Sequence, residues 1–287
     1  MIRLIGLGLS IDLVPIGALF RLLSCQKIYI DTYTSDWFPS IDYIADIFSQ
    51  LGVEVVMAKR ENLEGESINK IVEEAKFNNI CIAVIGDPMI ATTHSAIIVE
   101  ALNKDIEVEV LPASSILNTA ISLSCLQAYR FGKIVTIVKP KSGIFYEYPL
   151  QVIKMNRERD LHTLTLLEID LEQKYYMTPK EAIEILLTIQ KNTNDDVLKE
   201  KDKIIIIKAV GSENGRIEVM TIEEILKKEF EKTLYTLIIP AKTFHPIEEE
   251  CLQNISKILV KPQVNTHSLK LVIKIIAKNM KQKLYNI

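Results

Sequence analysis

Five short apolar, β-branched runs punctuate the first 112 residues: Ile2–Leu7, Lys27–Asp31, Val53–Met57, Ile80–Ile85 and Glu107–Leu111. Between them the apolar positions recur at helical spacing, near Val14–Ser24, Ile41–Leu51, Ser67–Phe77 and Thr93–Lys104. Strands that alternate with helices predict crossover connections and a mostly parallel sheet. After Pro112 the rhythm changes. Ser114-Ser115 opens a helix to about Tyr129, a strand follows at Lys133–Val138, and Leu161–Asp170 reads as a longer strand. Thr178-Pro-Lys-Glu181 and Thr221-Ile-Glu-Glu224 are capping boxes that open further helices, the first with a proline in its first turn. Asn192–Lys203 is a polar loop, Lys203–Val210 with four consecutive isoleucines is a central strand, and Leu234–Pro240 is another strand. The pattern therefore predicts an α/β domain over residues 1–112 and a mixed α+β sheet domain over residues 113–264. Residues 265–287 interleave lysines with Leu269, Val272, Ile273, Ile276 and Met280, the spacing of a basic amphipathic helix. Such a helix can meet a partner or touch a surface, but its spacing best suits peripheral packing on the body.

The ends of the strands carry the candidate chemistry. Gly86-Asp87-Pro88-Met89-Ile90-Ala91-Thr92-Thr93-His94 follows the fourth apolar run, where an open α/β sheet places its ligands. Gly86 admits a close backbone approach, Pro88 keeps Asp87 out of the helical region, and Thr92 or Thr93 can cap the next helix. By spacing alone this is equally a ligand loop or an ordinary strand-to-helix corner. Gly6-Leu7-Gly8-Leu9 begins like a dinucleotide fingerprint, and Asp31 stands where a ribose-binding acid would. Isoleucine at position 11 replaces the third glycine, however, and Pro15 follows, which argues against a nicotinamide enzyme. The chain contains neither a Gly-Lys-Ser/Thr phosphate loop nor a nucleophile elbow, so NTP hydrolysis and serine esterase chemistry have no support. Pro112–Ile116, Leu161–Asp170 and Gly211-Ser212 are further strand ends or turns. Together these segments suggest a cleft that holds a small ligand.

Composition narrows the classes. Apolar residues are 48% and charged residues 25% of 287, with a net charge of −3, so the chain is ordinary globular protein without a global basic field for nucleic acid. Cys25, Cys81, Cys125 and Cys251 lie far apart and form no paired spacing, which predicts reduced thiols, a reducing compartment, no zinc site and no disulfide framework. His94, His162, His245 and His267 are each isolated. The apolar stretch from Leu4 to Val14 is interrupted by two glycines and Asp12, so it reads as a first strand and loop rather than a signal peptide. No stretch approaches the ~18 apolar residues of a membrane span. These features predict a cytoplasmic protein.

Ile5-Gly-Leu-Gly-Leu9, Tyr33-Thr-Ser35, Gly86–His94, Tyr129-Arg-Phe-Gly-Lys133, Leu161-His-Thr-Leu164 and Tyr176-Met-Thr178 follow one another in this order. Together they resemble the motifs of the diphthine synthase family, and the resemblance runs from residue 2 to about residue 252. That family is similar to the tetrapyrrole methylases, and the resemblance implies two α/β domains with S-adenosylmethionine in the cleft between them. It also implies a homodimer with no metal and no direct contact to nucleic acid or membrane. The implied reaction is repeated methylation of the amino group of an aminocarboxypropyl-histidine in elongation factor 2, releasing S-adenosylhomocysteine. Three methyls make diphthine, the archaeal product; eukaryotic relatives also esterify the carboxylate. The rivals are methylation of a tetrapyrrole and a non-enzymatic nucleotide-binding or translation-factor-binding module on the same scaffold.

The resemblance also selects cofactor positions: Leu9, Asp87, Ile90, Ser115, Ile116, Leu167, Val210 and Tyr235. Several are plain apolar residues that their own pattern assigns to a core. Methyl transfer from a sulfonium needs alignment more than a strong base, so no catalytic base is assigned. Tyr33 and His94 are candidates for contact with the substrate, with capping or core roles as the alternative. Where this family tends to carry an acidic segment after its first loop, the chain has Ser10-Ile-Asp-Leu-Val-Pro15. Ala209, beside Lys208, replaces a frequent arginine, and Ala241 replaces a glycine.

Overall fold

The computed structural model describes residues 1–285, with side chains through residue 280. It divides into two units, Met1–Ser115 with Pro262–Ile287, and Ile116–Lys261. The division falls three residues after the expected boundary, and the C-terminal segment belongs with the first unit. The last two residues of the expected tail lie outside the described residues.

The first unit contains β1 (Ile2–Gly6), β2 (Lys27–Asp31), β3 (Glu54–Ala58), β4 (Ile80–Val84) and β5 (Val108–Leu111). They form one parallel sheet in the order β3-β2-β4-β1-β5. Period-two alternation sends the two faces of β4 into different cores. Cys81 and Ala83 join Ile5, Ile28 and Ile30 beneath α1 (Ile16–Leu23) and α2 (Asp42–Gln50). Ile80, Ile82 and Val84 pack on the other face against α4 (Ser67–Glu74) and α5 (Ser95–Asn103), with the short α3 (Arg60–Leu63) leading in. Burial on both faces is what an all-parallel sheet requires, and it explains the uninterrupted apolar run at residues 80–85.

The second unit holds β6 (Val135–Ile137), β7 (Thr163–Leu167), a small hairpin of β8 (Ile169–Asp170) and β9 (Tyr175–Tyr176), β10 (Lys203–Lys208), β11 (Arg216–Thr221) and β12 (Tyr235–Ile239). The main sheet runs β11-β10-β12-β7-β6, antiparallel except for β6 with β7. Ile204 and Ile206 face α7 (Tyr148–Glu158), α8 (Pro179–Thr193) and α9 (Ile222–Lys227). Ile205 and Ile207 face α6 (Ile116–Leu123) and α10 (Pro246–Asn254). The expected parallel first sheet and mixed second sheet are thus present. Both predicted capping threonines act: Thr178 Oγ1 accepts from Glu181 N–H, and Thr221 exchanges bonds with Glu224. The long strand expected at 161–170 is broken at Glu168, whose backbone N–H bonds Ile137 and whose carboxylate accepts Lys139 N–H. The sequence reading did not anticipate β11, α7 or α10.

The C-terminal α11 (Thr266–Tyr285) lays Leu269, Ile273 and Ile276 into the core beneath α1 and α2. Among the described residues no helix is long and apolar enough to cross a membrane. The cysteine reading is corrected. Cys25 pairs with Cys81 and Cys125 with Cys251, leaving no free cysteine among the described residues. The partners are 56 and 126 residues apart, and only the fold brings them together. Cys25 lies just before β2 and Cys81 in the adjacent β4. The inference of a reducing compartment therefore loses its basis.

Candidate functional site

In the first sheet β1 and β4 are neighbours whose outgoing connections diverge, to β2 on one side and β5 on the other. That is the topological switch point at which open α/β sheets bind ligands. The Gly6–Leu9 loop leaves β1 there and the Gly86–His94 loop leaves β4. Their backbones are tied directly: Gly8 N–H donates to Gly86 O at 3.1 Å, and Gly86 N–H to Gly8 O at 2.9 Å. Gly8 adopts φ 68°, and a Cβ there would lie 2.3 Å from the Leu13 carbonyl, so no other residue fits. Gly86 adopts φ 80°, and a Cβ there would stand 3.7 Å from Leu9 Cδ2 and 3.9 Å from Ser114 O and Ser115 Cα. The missing side chain leaves a small hollow lined by three loops.

Asp87 organises this hollow. Its carboxylate accepts Met89 N–H through Oδ1 at 2.9 Å and Ala113 N–H through Oδ2 at 3.1 Å. It thereby links its own loop to the segment after β5 that carries buried Ser115. Beyond Asp87 the loop turns outward, leaving Ile90 40% exposed, while Ala91 adopts the left-handed φ of 57°. Neither threonine caps α5. Thr92 Oγ1 donates to Pro88 O at 3.0 Å, and Thr93 Oγ1 donates to the Glu64 carboxylate at 2.8 Å.

His94 is fully buried, so the substrate contact expected of it would require the loop to open. Its Nδ1 lies 3.2 Å from Pro88 O; because a carbonyl can only accept, Nδ1 carries the proton. Its Nε2 faces Asp31 Oδ2 at 3.6 Å. Asp31 is equally buried and accepts Tyr33 N–H, Thr34 N–H and Thr34 Oγ1–H. Burial pushes its carboxyl above the ordinary range, against those bonds. An acid so enclosed has no face for a ribose, which removes the last argument for a nicotinamide enzyme. Tyr33 is almost as enclosed. Its hydroxyl bonds Glu64 at 3.4 Å and its ring lies under Arg60, so contact with a substrate would require it to move.

In the second unit three selected residues share one sheet end. Leu167 closes β7, Tyr235 opens the antiparallel β12, and Val210 follows β10 by two residues. Leu167 is core and Val210 half-buried, while Ile116 packs into the core beneath α6 and α10. Tyr235 borders a recess of about 80 Å³ with Lys208, Phe230 and Glu231. Burial, with the Glu231 charge, pushes its hydroxyl up to about 12.

Other family motifs are structural. His162 Nδ1 accepts Ala241 N–H at 2.9 Å, and its Nε2 stands 3.5 Å from Glu248. Arg130 binds Glu248 at 2.6 Å and Asp160 at 2.8 Å. This cluster lies before β7 and after β12, at the end of the second sheet opposite Leu167. Leu161–Asp170 is expected at the cleft; its first residues, with His162, belong to this buried polar cluster, while Leu167 stands at the other end of the sheet.

The tetrapyrrole (corrin/porphyrin) methylase family model matches residues 1–226. A diphthine synthase of Staphylothermus marinus is 40% identical over 253 residues, 86% of this chain and 91% of that protein. The chain belongs to the diphthine synthase branch of the tetrapyrrole methylases. A crystal structure of a diphthine synthase superposes with TM-score 0.77 at 30% identity, covering 94% of this chain and 99% of the other. A conserved hypothetical protein of Aeropyrum pernix superposes with TM-score 0.79 at 25% identity over 99% of this chain and 98% of the other. Tetrapyrrole methylases and diphthine synthases are S-adenosylmethionine-dependent methyltransferases, and this chain is one of them.

Proposed function

We propose that the protein methylates the amino group of the aminocarboxypropyl-histidine of elongation factor 2, converting it by successive transfers to a trimethylammonium. The observation that carries the reading is the pinned pair of loops at the switch point, in a chain 40% identical to a diphthine synthase. S-adenosylmethionine supplies an activated methyl on a sulfonium leaving group. The residues present fit it: a glycine hollow between loops, exposed Ile90 and half-buried Leu9 as apolar surface, buried Ser115 beside the hollow, and backbone groups ordered by Asp87. Ile116, Leu167, Val210 and Tyr235 are the remaining cofactor positions, as the family resemblance selects them. In this reading the protein works as a homodimer without a metal, touches neither nucleic acid nor membrane, and is cytoplasmic because its substrate is a translation factor, not on the ground of its cysteines, which are paired.

The chain's task in this reaction is alignment. Holding a neutral amine in line with the methyl can supply roughly 7–11 kcal/mol of the barrier. Because His94 and Asp31 are buried beneath the loop, the substrate amine loses its proton to water or to a group of its own. The rate then rises with pH until the amine is mostly neutral, near the ordinary α-amine value of about 8.

The test is to count methyl groups by mass spectrometry on elongation factor 2 that carries the precursor histidine, beside a porphyrinogen control. Three methyls on the histidine and none on the porphyrinogen are expected. Methylation of the porphyrinogen alone overturns the proposal.

A further inference from the structure

The segment after β1 and the segment before α11 lie about 250 residues apart in the sequence. Ser10–Pro15 replaces the acidic stretch to which the family resemblance points, and residues 262–287 lie beyond the 1–226 span of the family model. The structure joins the two. Asp12, in the single 3-10 turn Ile11–Leu13, accepts the backbone N–H groups of Gln263 and Val264, one on each carboxylate oxygen, at 2.7 Å each. Immediately after this latch α11 begins, and Leu269, Ile273 and Ile276 anchor it in the core that also holds Ile11.

The latch reaches the ligand loops through a short chain of contacts. The 3-10 turn is closed by Leu13 N–H to Ser10 O and tethered by Ile11 N–H to Phe38 O. The Leu13 carbonyl fills the space against which Gly8 packs, so close that no Cβ is admitted. Gly8 in turn pairs with Gly86 through two backbone hydrogen bonds. Displacing the 3-10 turn therefore displaces the Gly8–Leu9 segment of the first loop, and with it one wall of the hollow. All of these groups belong to the first unit.

We infer that Asp12 is a positioning residue and that the C-terminal segment is its brace, holding the first ligand loop in the shape that receives the cofactor. This rests on the functional reading above. The decisive variants are Asp12→Ala, which removes both acceptors, and Asp12→Asn, whose amide oxygen keeps one. Cofactor affinity is measured by calorimetry and by KM for S-adenosylmethionine, and amide hydrogen exchange is followed at residues 8–13 and 86–90 without cofactor. Asp12→Ala is expected to raise Kd and KM about fivefold or more, the lower end of couplings between sites, while kcat holds within about twofold. Asp12→Asn should fall between the parent and alanine, and exchange at residues 8–13 should quicken. A chain ending at Lys261 should match or exceed the alanine effect; if it does not fold, the point variants decide alone. Unchanged affinity and unchanged loop exchange in Asp12→Ala, even with a lower Tm, overturn the brace. A parent that binds no S-adenosylmethionine overturns the functional reading instead, and the exchange data then judge the brace independently.

Discussion

Replacing Asp87 by alanine removes the acceptors of Met89 N–H and Ala113 N–H from a carboxylate whose residue is 7% exposed. Hydrogen bonds to a charged group contribute about 1.5–3 kcal/mol each, and both donors would be left in a largely enclosed loop. Taking the lower end for each, because the neighbouring Met89 is exposed and water can enter, the loss is about 3 kcal/mol. For a chain of this size that corresponds to a fall in Tm of roughly 6–12 °C. Cofactor affinity should suffer separately. With the link to Ala113 gone, the Gly86–Ile90 loop and the Ser114-Ser115 segment no longer share a fixed spacing, and S-adenosylmethionine must order them as it binds. A tenfold loss, about 1.4 kcal/mol, is the expected minimum. Asp87→Asn keeps one acceptor and turns an NH2 toward the other donor, so it should retain about half of the stabilisation. Calorimetric titration with S-adenosylmethionine, beside thermal melts of the three proteins, provides the readout. Alanine and parent with equal Tm and affinities within about twofold would refute both the linking role and the placement of the cofactor at this loop.

Further expectations follow from the same contacts. Reducing the protein, or replacing Cys25 with Cys81 and Cys125 with Cys251 by serine in pairs, should lower Tm. Loop lengths of 56 and 126 residues correspond to about 4 and 5 kcal/mol in the chain-entropy account, and thiol titration of the untreated denatured protein should find no free thiols. His94→Ala should destabilise by about 2–4 kcal/mol, because it leaves a cavity and strips a donor from Pro88 O. Its kcat per folded molecule should fall less than about tenfold; a loss of a hundredfold or more would give His94 a catalytic role. Burial pushes the Glu248 carboxyl up, but N–H groups of Gln127 and His245 and the charge of Arg130 outweigh it, so its value lies below the usual range. A depressed carboxyl stabilises above its unfolded value of about 4.3 and loses that contribution as pH falls toward its folded value. The second unit should therefore weaken in acid below that point, and melts of Glu248→Gln should show a lower Tm at neutral pH without that acid step.

The first sheet was legible because its signal is local. Each strand of the parallel sheet is a short apolar run, each crossover helix has its own apolar stripe, and Gly86-Asp-Pro marks a strand end that the chain cannot continue. The second unit was less legible for the same reason. Arg216–Thr221 has only Ile217 fully buried, since β11 is an edge strand, and α10 is held by Glu248 and Leu252 rather than by a broad apolar face. Such elements are specified by partners distant in sequence, and periodicity does not record them.

What the residues alone determined is the class of fold, the positions of the two glycine loops and the family. These depend on hydrophobic period, turn chemistry and motif order, which are properties of neighbouring positions. Only the tertiary structure decided which polar side chains near these loops are enclosed. Asp31 and His94 look exposed and reactive as letters, yet both are fully buried, with Asp31 on the Tyr33 and Thr34 N–H groups and His94 Nδ1 on the Pro88 carbonyl. Cys25 and Cys81 look unrelated until β2 and β4 lie side by side. Asp12 looks like a surface acid until the chain returns, 251 residues later, to donate two backbone N–H groups to it. Contacts at that separation follow from sheet order and packing, and no local pattern encodes them.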